Sequence, residues 1–61
     1  MRFRDLNIGQ VFEFSRASEL GMERGPWVKI SKRKYSPWEV EHRLNGIEIR
    51  VGSWNIEVTQ A

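Results

Sequence analysis

The sequence is poorest in the residues that build disulfides and metal sites. It contains no cysteine and one histidine, His42. Without thiols, the chain has neither a disulfide framework nor a zinc-thiolate cluster to supplement a hydrophobic core. We therefore expect a fold held by side-chain packing, with no metal and no small-molecule cofactor.

Long apolar segments are also missing. No uninterrupted stretch approaches the roughly 20 residues that cross a bilayer, and the first residues do not resemble a signal peptide. These features predict a soluble, cytoplasmic protein with no membrane partner. The 61 residues suffice for one small domain, which we place at residues 1–61, and such a domain buries only about 60% of its unfolded surface.

Groups that could carry catalysis are scarce. His42 is the one candidate acid-base residue, and its place in an alternating run predicts packing, without a second group beside it to share proton transfer. Gly21 and Gly25 flank Met-Glu-Arg, which matches no phosphate-binding loop. We therefore predict that the protein is not an enzyme.

Strand signals, in contrast, are strong. Asn45-Gly46 separates two alternating runs, and both residues tolerate the positive φ of a type I′ turn. This predicts a hairpin over residues 38–53, with Arg43 facing Glu48 and Glu41 facing Arg50 on its outer side. The predicted inner side of the hairpin consists of Trp38, Val40, His42, Leu44, Ile47, Ile49 and Val51.

Shorter runs complete an all-β pattern. Alternation predicts strands at residues 10–15, with Phe12 and Phe14 inward, at 27–35 and at 54–59. The long connection at residues 16–25 either packs Leu20 and Met22 back onto the domain or serves as a recognition loop. Five short strands predict a small five-stranded antiparallel SH3-like barrel. The alternatives are an open curved sheet that dimerises and an oligonucleotide-binding fold, which usually needs a longer chain and a helix.

Positive charge is concentrated in one segment. The net charge is only +2, but residues 24–35 hold five basic residues and no acidic one. In the strand predicted at 27–35, Val28 and Ile30 face inward with Lys32 and Lys34 beyond the edge of the core, whereas the outer side has an aromatic ring at each end and cations between them. Aromatic rings that stack bases beside cations that contact phosphates are typical of single-stranded nucleic-acid binding. The candidate nucleic-acid-binding residues are Trp27, Lys29, Lys32, Arg33, Lys34 and Tyr35.

Two other interpretations compete with this binding strand. A lysine-rich strand also serves as a solvated edge that blocks aggregation. A protein partner or a homodimer could instead use an exposed Trp38 or Trp54, or an open strand edge at residues 10–15. We therefore predict a non-enzymatic accessory binding module, with nucleic acid first and protein interaction or self-assembly second.

Several short motifs carry a family resemblance. They are Leu6, Gly9, Phe12 and Phe14, then Val28-Lys29-Ile30-Ser31 with Arg33 and Tyr35, and finally Val51-Gly52 followed by Val58. In these residues the chain resembles small β proteins encoded in bacterial and phage genomes. The resemblance implies a compact barrel-like fold and brings no established activity.

Overall fold

The computed structural model describes residues 1–38 and 47–61. A 3-10 turn, Phe3–Asp5, precedes strand β1, Val11–Phe14, and a four-residue helix, α1, Ala17–Leu20. Strands β2, Trp27–Ser31, and β3, Lys34–Pro37, come next, and β4, Ile49–Arg50, and β5, Val58–Gln60, complete the described elements. Neither helical segment in these two ranges is long and apolar enough to span a membrane.

All five strands belong to one antiparallel sheet. Its order is β4-β3-β2-β1-β5, so β5 returns beside β1 after the first four strands follow one another across the sheet. The all-β, five-stranded antiparallel prediction is confirmed. Over the described residues the sheet is open, and its closure into an SH3-like barrel stays a prediction.

The prediction of one continuous strand at residues 27–35 is wrong. The segment forms two strands, β2 and β3, which pair through Ser31 with Lys34 and Lys29 with Tyr35 around a turn at Lys32-Arg33. A register shift between Lys29 and Ser31 accompanies the turn. The turn contains no glycine, proline or asparagine, the residues that usually mark such a connection.

The predicted hairpin at residues 38–53 is described only at its ends. Apart from Trp38, which is half-buried, its first arm and the cross-strand pairs that involve Glu41 and Arg43 lie outside the described residues. On the second arm, Val51 is buried and Ile49 is half-buried, whereas Arg50 is exposed, as predicted. Ile47, which the alternation places inside, is 48% exposed.

Aromatic side chains form the centre of the core. Phe3, Phe12 and Phe14 are fully buried, and Trp27 and Tyr35 complete the cluster. Phe14 lies 5.2 Å from Tyr35 and Trp27 lies 5.0 Å from Tyr35 between ring centroids, both close to edge-to-face. This geometry places the positive ring edge against the negative face of the next ring. The predicted inward placement of Phe12 and Phe14 is confirmed.

The long connection between β1 and β2 is partly packed. Ala17 of α1 is buried and Met22 packs against the core, whereas Leu20 is 52% exposed. Gly21 ends α1 in the left-handed conformation, with φ of 68°, and its N–H donates to the Ala17 carbonyl. Glycine adopts this conformation without the steric cost of a Cβ atom.

Buried residues also occupy the other face of the sheet. Val28 pairs with Ser36 in register, and both are buried, although their neighbours Lys29 and Tyr35 point into the aromatic core. Successive side chains of a strand point to opposite faces, so β2 is buried on both sides here. The Ser36 hydroxyl has no hydrogen-bond partner among the described residues.

Candidate functional site

Three of the six predicted binding residues lie inside the protein. Trp27, Lys29 and Tyr35 are 9%, 5% and 7% exposed, so the prediction that they form an outer stripe is wrong. Trp27 and Tyr35 belong to the aromatic core, and Lys29 lies opposite Tyr35 in the register of β2 and β3. Buried in this way, the two rings cannot stack on a base, and Lys29 cannot reach a phosphate.

Lys29 instead holds the N-terminal turn. Its Nζ donates hydrogen bonds to the carbonyl oxygens of Phe3 at 3.0 Å and Leu6 at 2.8 Å. The same atom lies 4.8 Å from the centre of the Phe3 ring. Burial lowers the pKa of Lys29, and the negative charge of Asp5 opposes this shift. The ammonium group therefore ties β2 to the segment that carries Phe3 and Leu6.

The two buried rings have structural partners of their own. The Trp27 indole N–H donates to the Glu23 carbonyl at 3.2 Å, which fixes the end of the long connection beside β2. Burial raises the pKa of the Tyr35 hydroxyl. Both side chains therefore belong to the core.

The other three predicted residues are exposed and close together. Lys32 and Arg33 form the β2–β3 turn, and Lys34 begins β3. Lys32 Nζ lies 5.0 Å and Arg33 Cζ lies 4.4 Å from the centre of the Trp54 ring. We call Lys32, Arg33 and Trp54 the Trp54 cluster. It combines two cations with a half-buried indole, the pairing predicted for the strand but built from a different ring.

Backbone hydrogen bonds hold the two halves of the Trp54 cluster together. The Val51 N–H donates to the Arg33 carbonyl at 2.8 Å, which brings the segment after β4 to the β2–β3 turn. The Arg4 N–H donates to the Trp54 carbonyl, also at 2.8 Å. Because Lys29 fixes the N-terminal turn, it supports Trp54 from inside the protein.

Two further exposed cations lie in the sheet next to the Lys32-Arg33 turn. Lys34 and Arg50 are neighbours in the register of β3 and β4, and both are exposed. Lys34 Nζ lies 3.3 Å from a carboxylate oxygen of Glu48, with both side chains about half exposed. A solvent-exposed ion pair of this kind contributes about 0–1 kcal/mol, so Glu48 does little to hold Lys34 away from another anion.

Sequence analysis considers Trp54 only as an anchor for a protein partner or a homodimer, and it does not select Arg50 as a site residue. The strand predicted at residues 54–59 begins only at Val58, because residues 54 and 55 form a turn. Arg50 was assigned to a charge pair within the hairpin. No local pattern links either residue to the Lys32-Arg33 turn, because the contacts span long stretches of chain.

In residues 1–38 and 47–61, no group of three or more histidine, aspartate or glutamate side chains is placed to hold a metal ion. The absence of a metal from the protein stays a prediction. His42 lies outside the described residues. The open edge predicted at residues 10–15 is wrong, because β1 lies between β2 and β5.

Comparison with family models, curated proteins and solved structures found no match to this chain. The site therefore has to be interpreted from its own geometry.

Proposed function

We propose that this protein is a non-enzymatic binding module that contacts nucleic acid through the Trp54 cluster, Lys34 and Arg50. The observation that supports the proposal is the packing of Lys32 and Arg33 against the Trp54 ring at the surface. Cations beside an aromatic ring provide contacts for both phosphates and bases. In this proposed site, Trp54 and Arg50 take the place of the buried Trp27, Lys29 and Tyr35. We also propose that the protein acts in the cytoplasm.

Local charge favours a polyanion at this surface. Lys32, Arg33, Lys34 and Arg50 are all exposed, and Lys34 forms an exposed ion pair with Glu48, although the whole chain has a net charge of only +2. Such a patch attracts an anionic chain most strongly at low ionic strength, because salt screens charges beyond about 10 Å at 0.1 M. Binding should therefore depend steeply on salt.

The test is a titration of a fluorescently labelled single-stranded oligonucleotide, followed by anisotropy at several salt concentrations. The double variant Lys32→Gln/Lys34→Gln should lose about tenfold in affinity per lost phosphate contact near 50 mM salt, and its salt slope should fall by about 1.4. The matched control is Arg16→Gln/Arg24→Gln, which removes the same charge from exposed ion pairs on the long connection.

The control variant should bind almost as well as the unmodified protein. Equal losses in the two variants would show that net charge, not this surface, determines binding. No detectable binding at low salt would refute the proposed function.

Binding to a protein or to a second copy of the chain is the competing proposal. The observation that favours it is Ile8, an apolar side chain that is 67% exposed just before β1. Sedimentation equilibrium over a wide concentration range tests self-association directly. A dimer that dissociates in the Ile8→Ser variant would support it, and a monomer at every concentration would exclude the homodimer.

A further inference from the structure

The Trp54 ring is in contact with two of the protein's own cations. Lys32 and Arg33 both lie within 5.0 Å of its centre. A base that stacks on this ring therefore competes with the protein's own side chains. We infer that an unpaired base displaces Lys32 or Arg33 from Trp54, and that this exchange makes the site selective for single strands; the inference rests on the proposed function.

The exchange is favourable because each displaced contact is weaker than the contact that replaces it. Stacking of a base on an aromatic side chain contributes more to binding than an exposed cation-aromatic contact contributes to the free protein. The released cation also has a new partner. A guanidinium or ammonium group that leaves the ring forms a charge-assisted hydrogen bond with the phosphate next to the stacked base.

The backbone around the ring is held in place during such an exchange. The Trp54 carbonyl accepts from the Arg4 N–H, and the Arg33 carbonyl accepts from the Val51 N–H. On the other side of Trp54, the Ile56 N–H donates to the Ser53 carbonyl at 3.1 Å. Only the long side chains of Lys32 and Arg33 have to move, so the ring is presented to a ligand without refolding of the loop.

Selectivity for single strands follows from the groups that each ligand presents to the site. A single strand supplies both a free base and phosphates, whereas the bases of a duplex are already stacked and paired. A strand with abasic sites supplies the phosphates alone. The duplex and the abasic strand should therefore contact only the cations, and the ring should add nothing to their binding.

The test compares three labelled ligands of equal length: an oligothymidine strand, the same strand with abasic sites, and a duplex. The unmodified protein should bind oligothymidine about tenfold more tightly than the abasic strand. Trp54→Leu should lose that preference and bind both strands with the affinity that the unmodified protein has for the abasic one. Trp54→Phe, which keeps an aromatic ring, should retain part of the preference and guards against a folding defect in the leucine variant.

The outcomes separate the inference from the proposed function. Equal affinity of the unmodified protein for all three ligands, with binding still weakened by Lys32→Gln/Lys34→Gln, would overturn base stacking and leave nucleic-acid binding intact. Retention of the preference by a folded Trp54→Leu variant would also overturn it. Failure to bind any of the three ligands would overturn both proposals.

Discussion

Replacing Lys29 with methionine tests the role of the buried amine. Methionine has a similar length and fits an apolar environment, but it has no hydrogen-bond donor. The substitution leaves the carbonyl oxygens of Phe3 and Leu6 without the partner that now lies at 3.0 and 2.8 Å. It also removes the ammonium group from the Phe3 ring.

The expected loss of stability is about 1–2 kcal/mol. The Phe3 carbonyl keeps the hydrogen bond from the Leu6 N–H at 3.1 Å, so only the Leu6 carbonyl loses its partner, and a buried acceptor without a partner costs about 1–3 kcal/mol. The variant regains part of this loss because it no longer buries a charge. A domain of 61 residues has a total free energy of unfolding of only about 3–9 kcal/mol. The variant should therefore melt about 5–15 °C below the unmodified protein.

The dependence of stability on pH provides a second readout. Burial lowers the pKa of Lys29 below 10.5 in the folded state, so the folded protein binds fewer protons than the unfolded chain between that lowered pKa and 10.5. The free energy of unfolding should therefore rise with pH across this interval. Below this interval Lys29 is charged in both the folded and the unfolded state, so the full free-energy cost of burying its charge is present there. In Lys29→Met this rise should disappear.

Urea unfolding, followed by far-UV circular dichroism from pH 7 to pH 10.5, measures both effects. The matched control is Lys34→Met, which makes the same change at an exposed lysine of β3 and should alter the free energy of unfolding by less than about 0.5 kcal/mol. If Lys29→Met were as stable as Lys34→Met at every pH, the amine would not hold the N-terminal turn.

Three smaller predictions concern individual side chains. Ser36→Ala removes a buried hydroxyl without a described partner and should raise the free energy of unfolding by about 1 kcal/mol in urea titrations, whereas Ser53→Ala, whose hydroxyl accepts a backbone N–H, should bring no gain. Gly25→Ala should lower the free energy of unfolding by about 1–3 kcal/mol, because φ is +128° and the new Cβ would lie 2.7 Å from the side chain of Trp27. In the control Gly52→Ala, the new Cβ has open space around it, so the free energy of unfolding should change little. Burial raises the pKa of Tyr35 above 10.0, so the folded state keeps this proton to a higher pH than the unfolded chain does. The free energy of unfolding should therefore fall as pH rises above 10.0. Tyr35→Phe should lessen that fall in the same titrations.

The sequence predicts well those strands that have one solvent-exposed face and one buried face. Phe12 and Phe14 alternate with partly exposed residues in β1, and the structure buries both. Gly21 is a second local signal, because glycine commonly ends a helix, and α1 ends at Leu20. In each case the deciding interaction lies within a few residues, so local pattern is enough.

Strand β2 shows why the pattern fails elsewhere. Trp27, Val28 and Lys29 are buried in succession, so the strand has no polar face at this point to define its orientation. Valine and isoleucine are more apolar than lysine, and alternation alone therefore selects the side of Val28 as inward, although the aromatic core lies on the side of Trp27 and Lys29. Lys29 is buried because the carbonyls of Phe3 and Leu6, more than twenty residues away in sequence, accept its hydrogen bonds. That contact has no local signature.

The buried Lys29 and the Trp54 cluster are connected through the β2–β3 turn. The turn at Lys32-Arg33 sets Lys29 opposite Tyr35 in register and places the turn's own cations at the end of the sheet. Lys29 then fixes the N-terminal turn, whose Arg4 N–H fixes the Trp54 carbonyl. The cations at the turn contact the ring that is held in this way. Loss of the Lys29 amine should therefore loosen the surface ring as well as the core, because the same N-terminal segment contacts both.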